Sequence, residues 1–130
     1  MAVAYGTGKL VAASFAETLK RTRAALVDEG FGVLCDIDVA ATLRAKLGVE
    51  TDDDYVILGA CVPALAQRAL LAEREVGLLL PCNVVVYAVE GGTQVSAIDP
   101  EVMLAMIDNP ALAEVAHEVR AKLTRVIERL

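Results

Sequence analysis

The sequence predicts an α+β domain, a mostly antiparallel sheet of about five strands with helices on one face. Three observations predict it. Short apolar runs alternate with helical patterns that carry their own start and stop residues. Two apolar runs meet at Glu90-Gly91-Gly92, a glycine turn that makes a hairpin. The segments follow one another closely across all 130 residues, with no repeat, low-complexity tract or linker, so residues 1–130 are read as a single domain.

Residues 3–11 are poor in polar side chains and contain Gly6 and Gly8, the pattern of a first strand closely approached or bulged at its glycines. Ser14-Phe15-Ala16-Glu17 is a capping box, with Ser14 as N-cap and Glu17 reaching back to its amide. Phe15, Leu19, Thr22 and Leu26 follow at helical spacing and Gly30 supplies the stop, giving a helix over residues 15–29. Its Lys20, Arg21 and Arg23 read as a solvated face. Residues 31–37 form a second strand containing Cys35. Asp38 caps a short helix over Val39–Leu47 that Gly48 ends.

Asp52-Asp53-Asp54 is an acidic turn. Three carboxylates attract hard cations, but consecutive side chains point in different directions, so a solvated turn is the simpler reading. Tyr55–Cys61 is an unbroken apolar run, as in a strand buried on both faces. Pro63 suits a first helical position, and that helix extends to about Glu75, with Gly77 as its stop. Residues 78–89 form a strand that Pro81 makes either an edge or a broken one. Residues 93–98 return from the glycine turn. Asp99-Pro100 and Asn109-Pro110 each start a helix, the first over residues 100–107. The second, from Pro110 to near the end, puts Leu112, Val115, Val119, Leu123 and Val126 on one face. Lys122, Arg125 and Arg129 gather in its last turns, where the helix dipole favours cations. The order is β-α-β-(α)-β-α-β-β-α-α.

Composition narrows function. The net charge is −6, lysine and arginine are scattered, and aromatic residues are 4% of the chain. That excludes a basic, ring-lined nucleic-acid groove and an anionic membrane surface as partners. The longest apolar stretch, residues 55–66, has 12 residues, whereas a membrane-spanning helix needs about 20. The first nine residues lack a charged start followed by an apolar run. The expectation is a cytoplasmic protein. Hydrophobic residues reach 56%, above an average domain even with 22 alanines among them, and the excess points to a subunit interface and a homodimer.

Two of the three cysteines lie beside prolines in apolar surroundings: Cys61 before Val62-Pro63, and Cys82 after Leu80-Pro81. An odd cysteine count in such a chain argues against a disulfide framework, and buried free cysteine commonly acts as a small hydrophobe. The functional reading places a ligand crevice where the two turns converge, lined by Cys61, Pro63, Pro81, Cys82 and Asn83, with Gln67 on the following helix. Cys61 and Cys82 stand 21 positions apart without a neighbouring histidine, which disfavours zinc but leaves a two-thiolate copper(I) site open. The thiols approach only if their strands are antiparallel neighbours. Cys61 also precedes a helix start, a setting that can favour a thiolate and redox chemistry. His117, the single histidine, lies off the apolar stripe beside Glu114 and Glu118 and reads as solvated. Gly6-Thr7-Gly8 is too short for a phosphate cradle. A homodimeric, non-enzymatic binding module is favoured, with thiol redox or copper(I) handling as the alternative and a purely structural assembly role as a third. No particular cofactor is indicated.

Several motifs in order carry a family resemblance. They are Glu29-Gly30-Phe31-Gly32-Val33-Leu34, Asp36-Ile37-Asp38, Lys46-Leu47-Gly48-Val49 and Tyr55-Val56-Ile57-Leu58-Gly59-Ala60-Cys61. They continue with Gly77-Leu78-Leu79-Leu80-Pro81-Cys82-Asn83-Val84-Val85-Val86 and Ser96-Ala97-Ile98-Asp99-Pro100. On these the chain resembles the family called domain of unknown function 302 (DUF302). The resemblance implies a curved antiparallel sheet cradling helices, as in TATA-box-binding-protein-like domains, commonly as a homodimer, and it carries no activity. The pattern departs at Val62, Ala64 and Gln67, where the family would show Asn, Pro and often His. Val62 thereby lacks a capping side chain, and Gln67 lacks an acid–base or soft-metal group.

Overall fold

The structure is a computed structural model and describes residues 3–50 and 53–130. Five strands form one antiparallel sheet: β1 (Gly6–Val11), β2 (Gly32–Asp38), β3 (Tyr55–Cys61), β4 (Cys82–Val89) and β5 (Gly92–Ile98), in the order β1-β5-β4-β3-β2. Five α-helices accompany it: α1 (Phe15–Asp28), α2 (Val39–Leu47), α3 (Pro63–Ala72), α4 (Pro100–Leu104) and α5 (Pro110–Glu128). The predicted class and element order hold.

Three helix starts follow from their caps. Ser14 Oγ accepts the Glu17 amide at 3.2 Å, and Asp38 accepts the Ala41 amide at 2.9 Å. Asn109 accepts the Ala111 amide at 3.0 Å and donates to the Ala72 carbonyl at 3.1 Å, tying the start of α5 to the end of α3. The capping box is only half made, because the Glu17 carboxylate pairs with Arg21 at 3.3 Å instead of returning to Ser14.

Differences from the sequence reading centre on residues 73–82. α3 stops at Ala72, and a 3₁₀ segment, Arg74–Leu79, carries the chain through Gly77, which therefore ends no helix. β4 begins at Cys82, after the cis Leu80–Pro81 bond, so the proline breaks the run rather than marking an edge; β4 is the central strand. α4 is shorter than expected. In the acidic turn, Asp52 lies outside the described residues, while Asp53 and Asp54 are exposed. The signal-peptide reading falls partly on residues 1 and 2, also outside them. Among the described residues no helix is long and apolar enough to cross a membrane.

The sheet has two unlike faces. On one, Val56, Leu58 and Ala60 of β3, Val84 and Val86 of β4, and Val95 and Ala97 of β5 are buried under α1 and α5. The predicted α5 stripe is buried against them. On the other face alternation places Tyr55 and Ile57, Val85 and Tyr87, and Ser96 and Ile98, all half-buried. β3 is therefore not buried on both faces as its apolar run suggested. It is a two-faced strand whose second face is only partly covered.

Lys122, Arg125 and Arg129 do more than complement a helix dipole. Arg125 Nε and Arg129 Nη2 clamp the Glu29 carboxylate at 2.7 and 2.8 Å, and Lys122 Nζ donates to the Glu29 carbonyl at 3.2 Å. The Arg125 hydrogen bond, joined by Arg129, holds the Glu29 pKa below its ordinary value despite burial. A carboxylate with a depressed folded pKa stabilises the fold above its unfolded pKa, and that stabilisation is lost as pH falls through the folded value. Urea midpoints should thus fall on acidification below about pH 5, and Glu29→Gln should be less stable at neutral pH yet lose less on acidification. Parallel acid profiles for the two proteins would contradict the clamp.

Candidate functional site

Antiparallel pairing brings the two proline-flanked cysteines to one region. β3 and β4 are neighbours, and Ala60, the residue before Cys61, stands opposite Cys82. Cys61 and Cys82 line a common cavity under the helices, with Leu65 and Ala69 of α3, Leu104 of α4 and Val119 of α5 among its walls. That cavity measures about 30 Å³, room for about one water molecule rather than an organic ligand.

The surroundings keep both sulfurs protonated. Burial pushes the Cys61 thiol up. Cys82 is 6% exposed. Burial, and secondarily the neighbouring Cys61, push its thiol up to about 11. A helix start follows Cys61, yet Val62 caps it with no side-chain hydrogen bond. Desolvation outweighs any thiolate stabilisation there, so the setting is opposite to that of a reactive redox cysteine. Among the described residues no group of three or more His, Cys, Asp or Glu is placed to hold a metal.

The remaining expected site residues part company with that cavity. Pro63 and Gln67 are exposed on α3 and do not line it. Pro81 packs against the opposite face of the sheet, over Gly59. A Cβ at Gly59 would sit 2.4 Å from Cys35 Sγ and 2.8 Å from Pro81 Cγ, so glycine is what lets both approach the strand. Asn83 is exposed on that same open face. The sequence-predicted crevice is thus two places, divided by the sheet: a thiol cavity inside and a proline–asparagine corner outside.

The outer face carries a concavity larger than the thiol cavity. A cleft of about 270 Å³ is lined by Tyr5, Tyr55 and Tyr87 together with Asn83, Val85 and Ser96. The chain has three tyrosines and no tryptophan, so every tyrosine it contains converges there. β3–β4 register sets Tyr55 directly opposite Tyr87, and the rings stack with centroids 5.1 Å apart and planes 10° from parallel. Burial first, then the Tyr87 and Tyr5 phenols, raise the Tyr55 pKa, so the Tyr55 hydroxyl stays neutral near neutral pH. Among the described residues no charged side chain lines the cleft.

Such a floor suits a flat, uncharged organic molecule. The rings offer a stacking surface, Asn83 offers a donor and an acceptor, and Ser96 and the phenols can each donate or accept. The volume is near the lower end of small-ligand pockets. Sequence reasoning found Asn83 but missed the tyrosines, because they lie at positions 5, 55 and 87 and only register unites them.

His117 is exposed as expected, although its Nδ1 meets Glu101 at 3.0 Å rather than Glu114 or Glu118. Arg120 joins the same Glu101 at 2.5 Å, making a surface ion-pair cluster between α4 and α5. Nothing there resembles a nucleophile with its base.

Comparison with known proteins agrees with this fold. The family described as domain of unknown function DUF302 matches residues 8–130. The crystal structure of an uncharacterized conserved DUF302 protein from Bacillus stearothermophilus is 33% identical, covers 98% of each chain and superposes with a TM-score of 0.89. No curated protein matches.

Proposed function

The chain belongs to the DUF302 family, and we propose that within it this protein is a homodimeric small-molecule-binding module. Its ligand lies in the tyrosine cleft of the open sheet face. One observation carries the reading: all three tyrosines of the chain meet in a single uncharged cleft, two of them stacked by strand register. The ligand class follows from the lining. An anion would find no cation there and would meet a protein of net charge −6. A cation would find rings but no carboxylate. An uncharged planar molecule with one or two polar groups fits both the rings and Asn83.

Quinoline, neutral at pH 7.5, serves as a probe. Saturation-transfer NMR should show its protons contacting the wild-type protein. Tyr87→Ala should cut apparent affinity about tenfold, the loss of about 1–1.5 kcal/mol that an aromatic contact is worth. Far-UV circular dichroism should stay unchanged. Equal transfer in both proteins, or none in the wild type, contradicts the reading.

A second reading rests on the cavity shared by Cys61 and Cys82. Two thiolates suffice for copper(I), and the metal itself can displace their protons despite the raised pKa values. Competition with a copper(I) chelator should then show one tight ion per chain, lost in Cys61→Ser. Uptake that is absent, or unaltered by the substitution, removes copper handling and leaves the tyrosine cleft untouched.

A further inference from the structure

We infer that the open face of the sheet is the surface on which a second copy of this chain docks, so that the partner closes the tyrosine cleft. The inference rests on the dimeric reading above and adds the surface. An antiparallel sheet with helices on one side ordinarily turns polar and charged side chains to solvent on the other. This one does not. Register puts Leu10 of β1, Gln94, Ser96 and Ile98 of β5, and Asn83, Val85 and Tyr87 of β4 on the open face. Tyr55, Ile57 and Gly59 of β3 and Cys35 and Ile37 of β2 continue it. No Lys, Arg, Asp or Glu stands among these positions, in a chain that is 23% charged.

The charges that the strands do carry turn the other way. Asp36 and Asp38 stand opposite Leu58 and Val56, which face the helices. Asp36 pairs there with Arg23 of α1, and Asp38 caps α2. Lys9 of β1 donates to the Leu130 carbonyl beyond the end of α5.

Freedom from charge selects the occupant. A two-fold contact sets the same patch against itself, so any charge near the axis meets its own copy. Two chains of net charge −6 repel generally, and a neutral patch is where they can meet without that cost. The size is suitable. Five strands about 4.8 Å apart, each with about seven residues at about 3.3 Å, present roughly 500 Å² of plane. That is of the same order as the ~800 Å² per partner of a standard interface. The β2 edge is a poorer candidate. β2 is broken by a bulge between Val33 and Cys35, a feature that blunts strand-to-strand pairing.

Sedimentation equilibrium at about 20 μM tests the inference. The wild type should show twice the 13.7 kDa chain mass. Ile57→Arg, at the centre of the face and outside the cleft lining, should sediment at the single-chain mass with a native far-UV spectrum. Ile37→Glu, 43% exposed on β2, gives the same test at a site where misfolding is not expected. Leu71→Arg, 81% exposed on α3, should remain a dimer. A wild type at single-chain mass overturns the dimer reading together with this inference. A dimeric wild type whose folded Ile57→Arg and Ile37→Glu variants stay dimeric overturns the docking surface alone.

Discussion

Gly92→Ala is expected to cost the fold about 3–5 kcal/mol, the sum of a forbidden backbone conformation and a backbone collision. Gly92 has φ +153°, a region that L side chains rarely adopt. A Cβ there would lie 2.2 Å from the Val11 carbonyl oxygen and 3.1 Å from its carbon. Main-chain atoms cannot swing aside as a flexible side chain would. The residue opens β5 opposite Val89 of β4, so relief would require parting the hairpin or lifting the end of β1. Domains of this size have only about 5–15 kcal/mol of stability, and a loss of this order removes much of it. Urea unfolding should show a midpoint lowered in proportion with little change in slope. A variant within about 1 kcal/mol of wild type would mean the turn is built differently.

Leu58→Ala is expected to cost about 2–5 kcal/mol, the range for emptying a fully buried leucine site. Leu58 is 0% exposed on β3, and in register it faces Val84, which is equally buried, on the helix-covered side. Its neighbours are held by α1 and α5 and cannot collapse freely into the void. Leu71→Ala, on the exposed side of α3, should change stability by less than about 0.5 kcal/mol. Similar losses at the two sites would contradict a core confined to one face of the sheet.

Much of this architecture is local and therefore visible in the chain. Ser14, Asp38, Asp99 and Asn109 announce helix starts by hydrogen bonds to amides two or three residues ahead. α2 ends at Gly48 in a left-handed conformation, as its sequence indicates. Where the reading strayed, the deciding contacts were distant. Leu78 and Leu79 have the composition of a strand, yet they belong to a 3₁₀ segment whose buried Val76 anchors it in the core. The clamp on Glu29 joins residues about a hundred positions apart. No period in α5 could reveal that its terminal arginines have one carboxylate to share.

The site was legible only in part. Pairing of β3 with β4 was the condition for Cys61 and Cys82 to meet, and the antiparallel order fulfils it. The cavity they share is too small for the crevice imagined around them. Asn83 went to the other face because successive strand residues alternate, so a residue adjacent to Cys82 must point away from it. The apolar run of β3 misled in an instructive way. Tyr55 and Ile57 resemble buried residues, and within one chain they are merely half-covered.

The most direct test of the cleft is a map of backbone amide shifts as quinoline is titrated into ¹⁵N-labelled protein at pH 7.5. The tyrosine cleft predicts shifts clustered at Tyr5, Tyr55, Asn83, Tyr87 and Ser96, and quiet amides at Leu65, Ala69 and Leu104 around the thiol cavity. Shifts concentrated at the thiol cavity, or scattered without a centre, would contradict it.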